Sequence, residues 1–309
     1  MLVSPLAKGA YFEDYLSVAM AELRCCLPHV IAEVSQTGPF DFIALEVDPV
    51  DLPRLMRLSF VQGIFEVNQD GLTVVDQASG FDLPSSLVYG TKYAGKTNEM
   101  VTQMAINLAL AYLTTTGDEP IWLLDPMAGN GSTLLWAARY HINAVGIEPN
   151  DKALAGLQQH VKKQTKLKRI KHEQLEGFIG KANKQGAGKF RQFTFEDVKL
   201  RLINGDCREV VRLSQRKRFH MIVTDIPYGI AHLADGRRNP LQTLTESAEA
   251  WSHSLRKGGA LVVIFNTYQP KRSDIETVFR DAGLTVIDYS SPHRMSESIV
   301  RDFLVCVKK

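Results

Sequence analysis

The sequence predicts an α/β protein: a doubly wound sheet with helices on both faces, preceded by a small α+β unit. Three observations predict it. From residue 120 onward, short apolar runs alternate with helical patterns, the rhythm of parallel strands joined by crossover helices. Four of these segments end in an acidic residue, at Asp125, Glu148, Asp206 and Asp225. Before residue 85 the runs are shorter and irregular, with Gly80 and Pro84 marking a boundary.

The elements follow in order. Residues 11–27 carry apolar side chains at helical spacing until Pro28 stops them. Residues 42–47 and 63–67 predict strands, 51–60 a short helix between them, and 72–76 another strand. NEMVTQMAINLALAYL, 98–113, is an apolar helix with Asn98 as its N-cap. Strands are then expected at 121–125, 144–148, 198–206, 219–225, 260–265, 284–290 and 300–308. Helices are expected at 132–140, 151–163, 243–255 and 274–283. Residues 177–194, with four glycines and little apolar periodicity, predict an insertion loop. The organisation is thus a small N-terminal α+β unit at 1–85 and a second unit at 86–309 with a basic insertion at about 161–195. Trp122, Trp136 and Trp251 fall in regular elements and are expected in the core.

Composition excludes several classes. A chain of 309 residues with 45% hydrophobic content can bury a large core, which excludes disorder. Four cysteines are too few for a disulfide scaffold, and none has zinc-ligand spacing, so reduced thiols and no metal are expected. The first residues lack the apolar segment of a secretory signal, and no apolar run approaches the roughly 20 residues that span a bilayer. A cytoplasmic protein is expected. The net charge of +2 hides a segregation: residues 160–220 hold 17 basic and six acidic side chains, a balance of +11. The densest part is VKKQTKLKRIKH, 161–172, with Lys162, Lys163, Lys166 and Lys168. It fits either a solvated helix face or a contact with nucleic-acid phosphates.

LLDPMAGNGSTLL, 123–135, leaves a strand, turns through Gly129 and Gly131 and opens a helix. Glycines there permit a tight turn and let a ligand approach the backbone. The pattern is neither a dinucleotide fingerprint nor a phosphate-binding P-loop. Glu148, 23 residues after Asp125, suits a pair of ribose hydroxyls. Each acidic strand end alone also fits a helix cap or turn; four in this order point to a ligand site at the carboxyl edge of the sheet.

The series D-P-M-A-G-N-G, I-E-P, N-G-D and D-I-P-Y-G resembles class I S-adenosylmethionine-dependent methyltransferases, over about residues 88–309. The resemblance implies a seven-stranded Rossmann-like methyltransferase sheet and S-adenosyl-L-methionine as cofactor. It places Ala128, Gly129, Asn130 and Gly131 under the methionine part and Asp125 near the methionyl end. Glu148 takes the ribose hydroxyls, Asp206 the exocyclic amine of the adenine, and the Cys207 amide a ring nitrogen. YGTKYAGKTNEM, 89–100, is similar to the segment before the glycine loop in amino-methylating members, with Thr97 beside the cofactor carboxylate.

Asp225-Ile226-Pro227-Tyr228 is similar to the (D/N/S)-P-P-(Y/F/W) signature of enzymes that methylate planar amino groups. Such an amine is conjugated with its ring and is a poor nucleophile. Asp225 and the Ile226 carbonyl would accept its two N–H groups, turning the lone pair toward the sulfonium methyl. Pro227 holds Ile226 extended, and Tyr228 offers a face to the extruded base. Ile226 replaces the first proline of the signature.

The D-x-P-Y-G form and AGKTNE resemble the tRNA guanine-N2 methyltransferases, which commonly carry a THUMP RNA-binding domain. About 90 residues precede the catalytic segment here, fewer than that whole arrangement. The resemblance implies an RNA partner, most readily tRNA, with residues 1–85 a candidate RNA-binding domain and 86–309 the catalytic unit. Arg237 and Arg238, soon after Tyr228, are placed for phosphates beside the target base, while His293 and Arg294, between the last two strands, fit a solvated loop better than an RNA contact from a hairpin. Rival readings are a DNA adenine-N6 or cytosine-N4 amino-methyltransferase, which usually needs a larger target-recognition region, a protein glutamine methyltransferase, which leaves the basic stretch unexplained, and a catalytically silent RNA-binding module.

Overall fold

The structure, a computed structural model, describes residues 1–78, 80–89, 98–114, 119–180, 188–227, 239–296 and 299–309. At the N-terminus, β1 (Leu2–Val3), α1 (Leu6–Tyr11) and α2 (Tyr15–Cys26) lead into the hairpin β2 (Ile31–Thr37) and β3 (Phe40–Glu46). Then come α3 (Leu52–Leu55), β4 (Val61–Gly63), β5 (Phe65–Asn68) and β6 (Gly71–Val74). The first four strands form an antiparallel sheet in the order β2-β3-β1-β4, and β5 pairs with β6 alone. The sequence expectation of one helix at 51–60 is too long, and that of one strand at 63–67 joins two. The run breaks at Ile64, which is buried and whose carbonyl accepts from the Val75 amide.

The second part contains α4 (Ser86–Tyr89), α5 (Glu99–Ala111), β7 (Trp122–Asp125), α6 (Ser132–Arg139), β8 (Asn143–Glu148) and α7 (Lys152–Lys168). It continues with β9 (Glu173–Phe178), β10 (Lys189–Phe195), β11 (Val198–Asn204), α8 (Val210–Leu213), β12 (Phe219–Asp225) and α9 (Pro240–Ser254). It closes with β13 (Leu255–Asn266), α10 (Arg272–Asp281), β14 (Thr285–Val286), β15 (His293–Ser296) and β16 (Ile299–Val307). Asn98 caps α5 as expected, accepting from the Met100 amide at 2.9 Å.

These strands form one sheet in the order β14-β16-β13-β12-β7-β8-β11-β10-β9, with β15 on β16. The five strands from β13 to β11 are parallel and β16 is antiparallel to β13. The sheet has ten described strands rather than the seven expected. Part of the excess is the hairpin β9–β10, where an insertion loop was expected. Phe193 and Phe195 alternate with polar residues along β10 and are buried. Gly177 makes room for the facing Phe190 ring, because a Cβ there would lie 2.9 Å from it.

Period-two alternation assigns the two sheet faces. Leu123, Ala144, Leu202, Met221, Val223 and Val262 join one core cluster; Leu124, Val145, Ile203, Ile222 and Val263 join the other. Trp136 and Trp251 are fully buried, one in each cluster; Trp122 is half-buried. The first cluster runs without a break into the N-terminal unit, through Tyr11, Val18, Leu23 and Phe60. A polar knot is buried in that junction. The Glu22 carboxylate on α2 accepts from the Ser59 amide and hydroxyl and from the Asn107 side chain on α5, while Tyr140 donates to Asn107 at 2.6 Å. Burial pushes Glu22 up to about 7, against the pull of those hydrogen bonds.

Candidate active site

After β7 the chain moves to β8 on one side, and later returns to β12 on the other, so β7 and β12 flank a reversal of strand order. In open α/β sheets such a reversal opens a crevice at the carboxyl edge. Asp125 ends β7, Glu148 ends β8 and Asp225 ends β12, while Asp206 follows β11 by two residues. The structure brings all four to that edge.

The glycine turn is folded onto this edge by its own backbone. Gly129 and Gly131 have φ of +50° and +82°, a left-handed conformation that favours glycine. The Ala128 amide donates to the Ile147 carbonyl at 3.0 Å and the Gly129 amide to Glu148 Oε2 at 3.0 Å, fastening the turn to the end of β8. Glu148 Oε1 accepts from the Asn150 amide at 2.9 Å. Carboxylate oxygens retain further lone pairs for ligand hydroxyls.

Two glycines that the sequence reading passed over make this packing feasible. A Cβ on Gly146 would sit 2.7 Å from the Ala128 side chain, and one on Gly156 2.8 Å from Asn130 Oδ1. A glycine inside a strand such as NAVGIE signals a close approach, and that signal was available at Gly146.

Asp125 is buried and accepts from the Met127 amide at 3.1 Å and the Thr224 hydroxyl at 2.9 Å. Burial pushes its carboxyl up to about 6 although these hydrogen bonds oppose the rise. It is therefore a structural latch between β7 and β12 as well as a polar group at the crevice. Asp206 caps the helical turn after β11, accepting from the Arg208 amide at 2.9 Å, and pairs with the Arg208 guanidinium, which also reaches Glu246 at 2.9 Å. Cys207 is buried, its thiol pushed up to about 11 by burial, and its carbonyl accepts from Trp251 Nε1 at 3.0 Å.

Of the tetrapeptide, Asp225 is paired to Arg301 Nη2 through Oδ2 at 3.2 Å. Ile226 is buried and its amide donates to the Ile264 carbonyl at 2.9 Å, one hydrogen bond beyond the end of β12, and Pro227 is half-buried. Tyr228, Arg237, Arg238 and Thr97 lie outside the described residues. Arg301 was missed, because nothing in the sequence pairs the last strand with position 225. His293 is not in a solvated loop: it lies on β15, fully buried against Tyr11 and Phe303, while Arg294 is exposed. The buried ring burial here reflects pairing of β15 with β16, which the short run HRMS does not announce.

Lys162, Lys163, Lys166 and Lys168 are exposed on α7 but are not gathered at the crevice. The helix starts there, where Leu157 meets Gly131, and then runs away from it. At 1.5 Å per residue the four lysines lie roughly 8 to 16 Å farther along the axis. Part of the remaining basic charge of 160–220 is paired locally, as Lys189 and Arg191 are with Glu176 and Arg212 with Glu209.

A family model described as UPF0020, RMKL-like, methyltransferase domain, matches residues 96–288, more than half of the chain. The chain belongs to this family. The match takes in the glycine turn and all four acidic positions of this RMKL-like methyltransferase domain and stops short of Arg301. No curated protein sequence matches. Among solved structures, TrmN from Thermus thermophilus is similar over 91% of this chain and 60% of its own, at 12% identity and a TM-score of 0.44. The T. thermophilus 16S rRNA N2 methyltransferase RsmC, in complex with AdoMet and guanosine, is similar over 96% of this chain and 62% of its own, at 18% identity and a TM-score of 0.44. ChlM, the magnesium protoporphyrin IX methyltransferase of Synechocystis PCC 6803 with bound SAM, covers 72% of this chain and 89% of its own, at 13% identity and a TM-score of 0.42. The chain spans about 60% of the length of the TrmN and RsmC chains.

Proposed function

We propose that this methyltransferase domain transfers a methyl group from S-adenosyl-L-methionine to an exocyclic amine of a nucleobase in RNA, with guanine-N2 in tRNA the favoured target. The observation that carries the reading is the convergence of Asp125, Glu148, Asp206 and Asp225 on one sheet edge, around a glycine turn bonded to Glu148. The methyl donor is S-adenosyl-L-methionine. The described residues fit it: Glu148 for the ribose, Asp206 and Cys207 for the adenine, and the turn 128–131 for the methionine part; Thr97 is assigned to the carboxylate. When bound, the cofactor supplies an electrophilic methyl.

The chain's own residues orient the nucleophile. Asp225 and the Ile226 carbonyl accept the amine's N–H groups, Pro227 fixes that carbonyl, and Tyr228 stacks on the base. The division into 1–85 and 86–309 stands as part of this reading, with the grip on RNA assigned to the second part. Residues 1–85 carry 12 acidic and four basic side chains, a field that repels phosphates. Lys162, Lys163, Lys166, Lys168, Arg237 and Arg238 are assigned to phosphates. No described helix is long and apolar enough to cross a membrane; we assign the activity to the cytoplasm.

The test is mass spectrometry of nucleosides after incubating the protein with S-adenosylmethionine and unmethylated tRNA or duplex DNA. N2-methylguanosine in tRNA is expected. Methyl on a DNA amine would shift the substrate, and methyl on a ring carbon or ribose oxygen would overturn the amine mechanism.

A further inference from the structure

We infer that Arg301 is a positioning residue, holding the Asp225 carboxylate in the one orientation that receives the amine. The inference rests on the role proposed above for Asp225. The contact is direct, Arg301 Nη2 to Asp225 Oδ2 at 3.2 Å, with the Arg301 side chain 4% exposed and that of Asp225 17%. It is also a contact between non-adjacent strands. Arg301 on β16 faces Asn266 on β13, and Asp225 on β12 faces Ile264 on β13, so the guanidinium reaches across the last residues of the intervening strand.

The strand that carries Arg301 is held from both sides. β16 pairs with β13 on one side, and on the other Arg301 faces His293 of β15. β15 is clamped in turn by the N-terminal unit: the Tyr11 ring meets His293 edge-on at 5.0 Å, and the Arg294 amide donates to Asp14 Oδ2 at 3.0 Å.

Stability alone is a poor reason for such a pair. Removing two charges from water costs about as much as their attraction returns, and apolar replacements are often as stable. Orientation is a better one. A planar guanidinium constrains a carboxylate where a lysine ammonium would act as a point charge. Engaging Oδ2 fixes rotation of the carboxylate, and its oxygens keep lone pairs for an amine N–H. A displacement of about 1 Å in a reacting arrangement costs roughly 100-fold in rate.

The experiment compares Arg301→Met, Arg301→Lys and Asp225→Asn by steady-state kinetics on an unmethylated tRNA transcript, with S-adenosylmethionine affinity from calorimetry. Arg301→Met should lower kcat roughly 100-fold. Its KM for RNA and its cofactor affinity should stay within about threefold of wild type, and the calorimetric binding stoichiometry should stay at the wild-type value, which a partly unfolded population would lower. Arg301→Lys, which keeps the charge and loses the planar guanidinium, should be slower by roughly tenfold. It decides the matter if Arg301→Met fails to fold. Wild-type kcat in either folded Arg301 variant, beside an inactive Asp225→Asn, would overturn the positioning role and leave Asp225 in place. Wild-type kcat in Asp225→Asn would instead overturn the reading of Asp225 itself.

Discussion

The two ends of α7 do different work. At its start, Gly156 and Leu157 lie under the glycine turn, and the surroundings are acidic: Asp125, Glu148, Asp206 and Asp225. Past Val161 the same helix is a row of exposed lysines. The acidic end has few unpaired roles to spare, since every oxygen of Glu148 and Asp206 already meets an N–H. The basic end buries Val161, Gln164 and Thr165 and turns its lysines to solvent. On the function proposed above, the difference teaches that recognition of a small polar cofactor and attraction of a polyanion would be placed far enough apart to be altered separately. Charge of one sign at one end does not cancel the other, because screening in physiological salt acts over about 8 Å.

The largest expected effect lies at the acidic end. Asp225→Ala should cut kcat by roughly 100- to 1000-fold, the usual cost of one preorganised electrostatic group. Calorimetric affinity for S-adenosylmethionine should hardly change; a joint loss of both would merge the two functions that the geometry separates.

Next comes a probe remote from both ends. Glu22 is buried with its carboxyl raised from 4.5 to about 7. A folded-state value above the unfolded one means that the native protein binds the extra proton, so stability falls as pH rises from about 4.5 to about 7. The loss is on the order of 3 kcal/mol. Chemical denaturation at pH 5 and pH 8 measures it, and Glu22→Gln should flatten the difference. Asp125, raised to about 6, works in the same direction and stays in the variant.

Glu148→Ala should follow, weakening S-adenosylmethionine binding by roughly tenfold or more, the worth of a charge-assisted hydrogen bond. Part of that loss would come from release of the Gly129 amide. The smallest effect at any one salt concentration should come from the basic end. Replacing Lys162, Lys163, Lys166 and Lys168 by Gln should flatten the log–log dependence of RNA affinity on salt by up to about 3, at roughly 0.7–0.9 per phosphate contact. The single-turnover rate at saturating RNA should not move; an unchanged slope would return the row to a solvated helix face.

The acidic edge was legible because local rules place it. A strand that ends in Asp or Glu and a turn that needs Gly129 and Gly131 are both written in consecutive residues. The parallel strands were legible for the same reason, as runs such as FHMIVTD are apolar on both faces. What escaped depends on partners distant in the chain. β9 carries Glu173, Gln174 and Glu176 and is mostly exposed, so only its pairing with β10 makes it a strand. Arg301 looks like any basic residue in VRDFLVCVK until β16 is laid beside β13. Glu22 looks like an exposed helical residue until Ser59 and Asn107 close over it. The short helix α3 was overextended because the apolar spacing of residues 51–60 continues beyond the turn that ends it.

The direction of α7 has a consequence for the size of a substrate. Lys168 lies roughly 16 Å along the axis from the residue that touches the glycine turn. Backbone phosphates on one strand of a duplex advance about 3.4 Å per step. On the function proposed above, an oligonucleotide therefore needs about five nucleotides to run from beside the glycine turn to the last lysine. Shorter fragments should still be turned over at saturation. They should bind with the flat salt response of the four-lysine variant, so fragment length and lysine substitution should become interchangeable ways of removing the same contact.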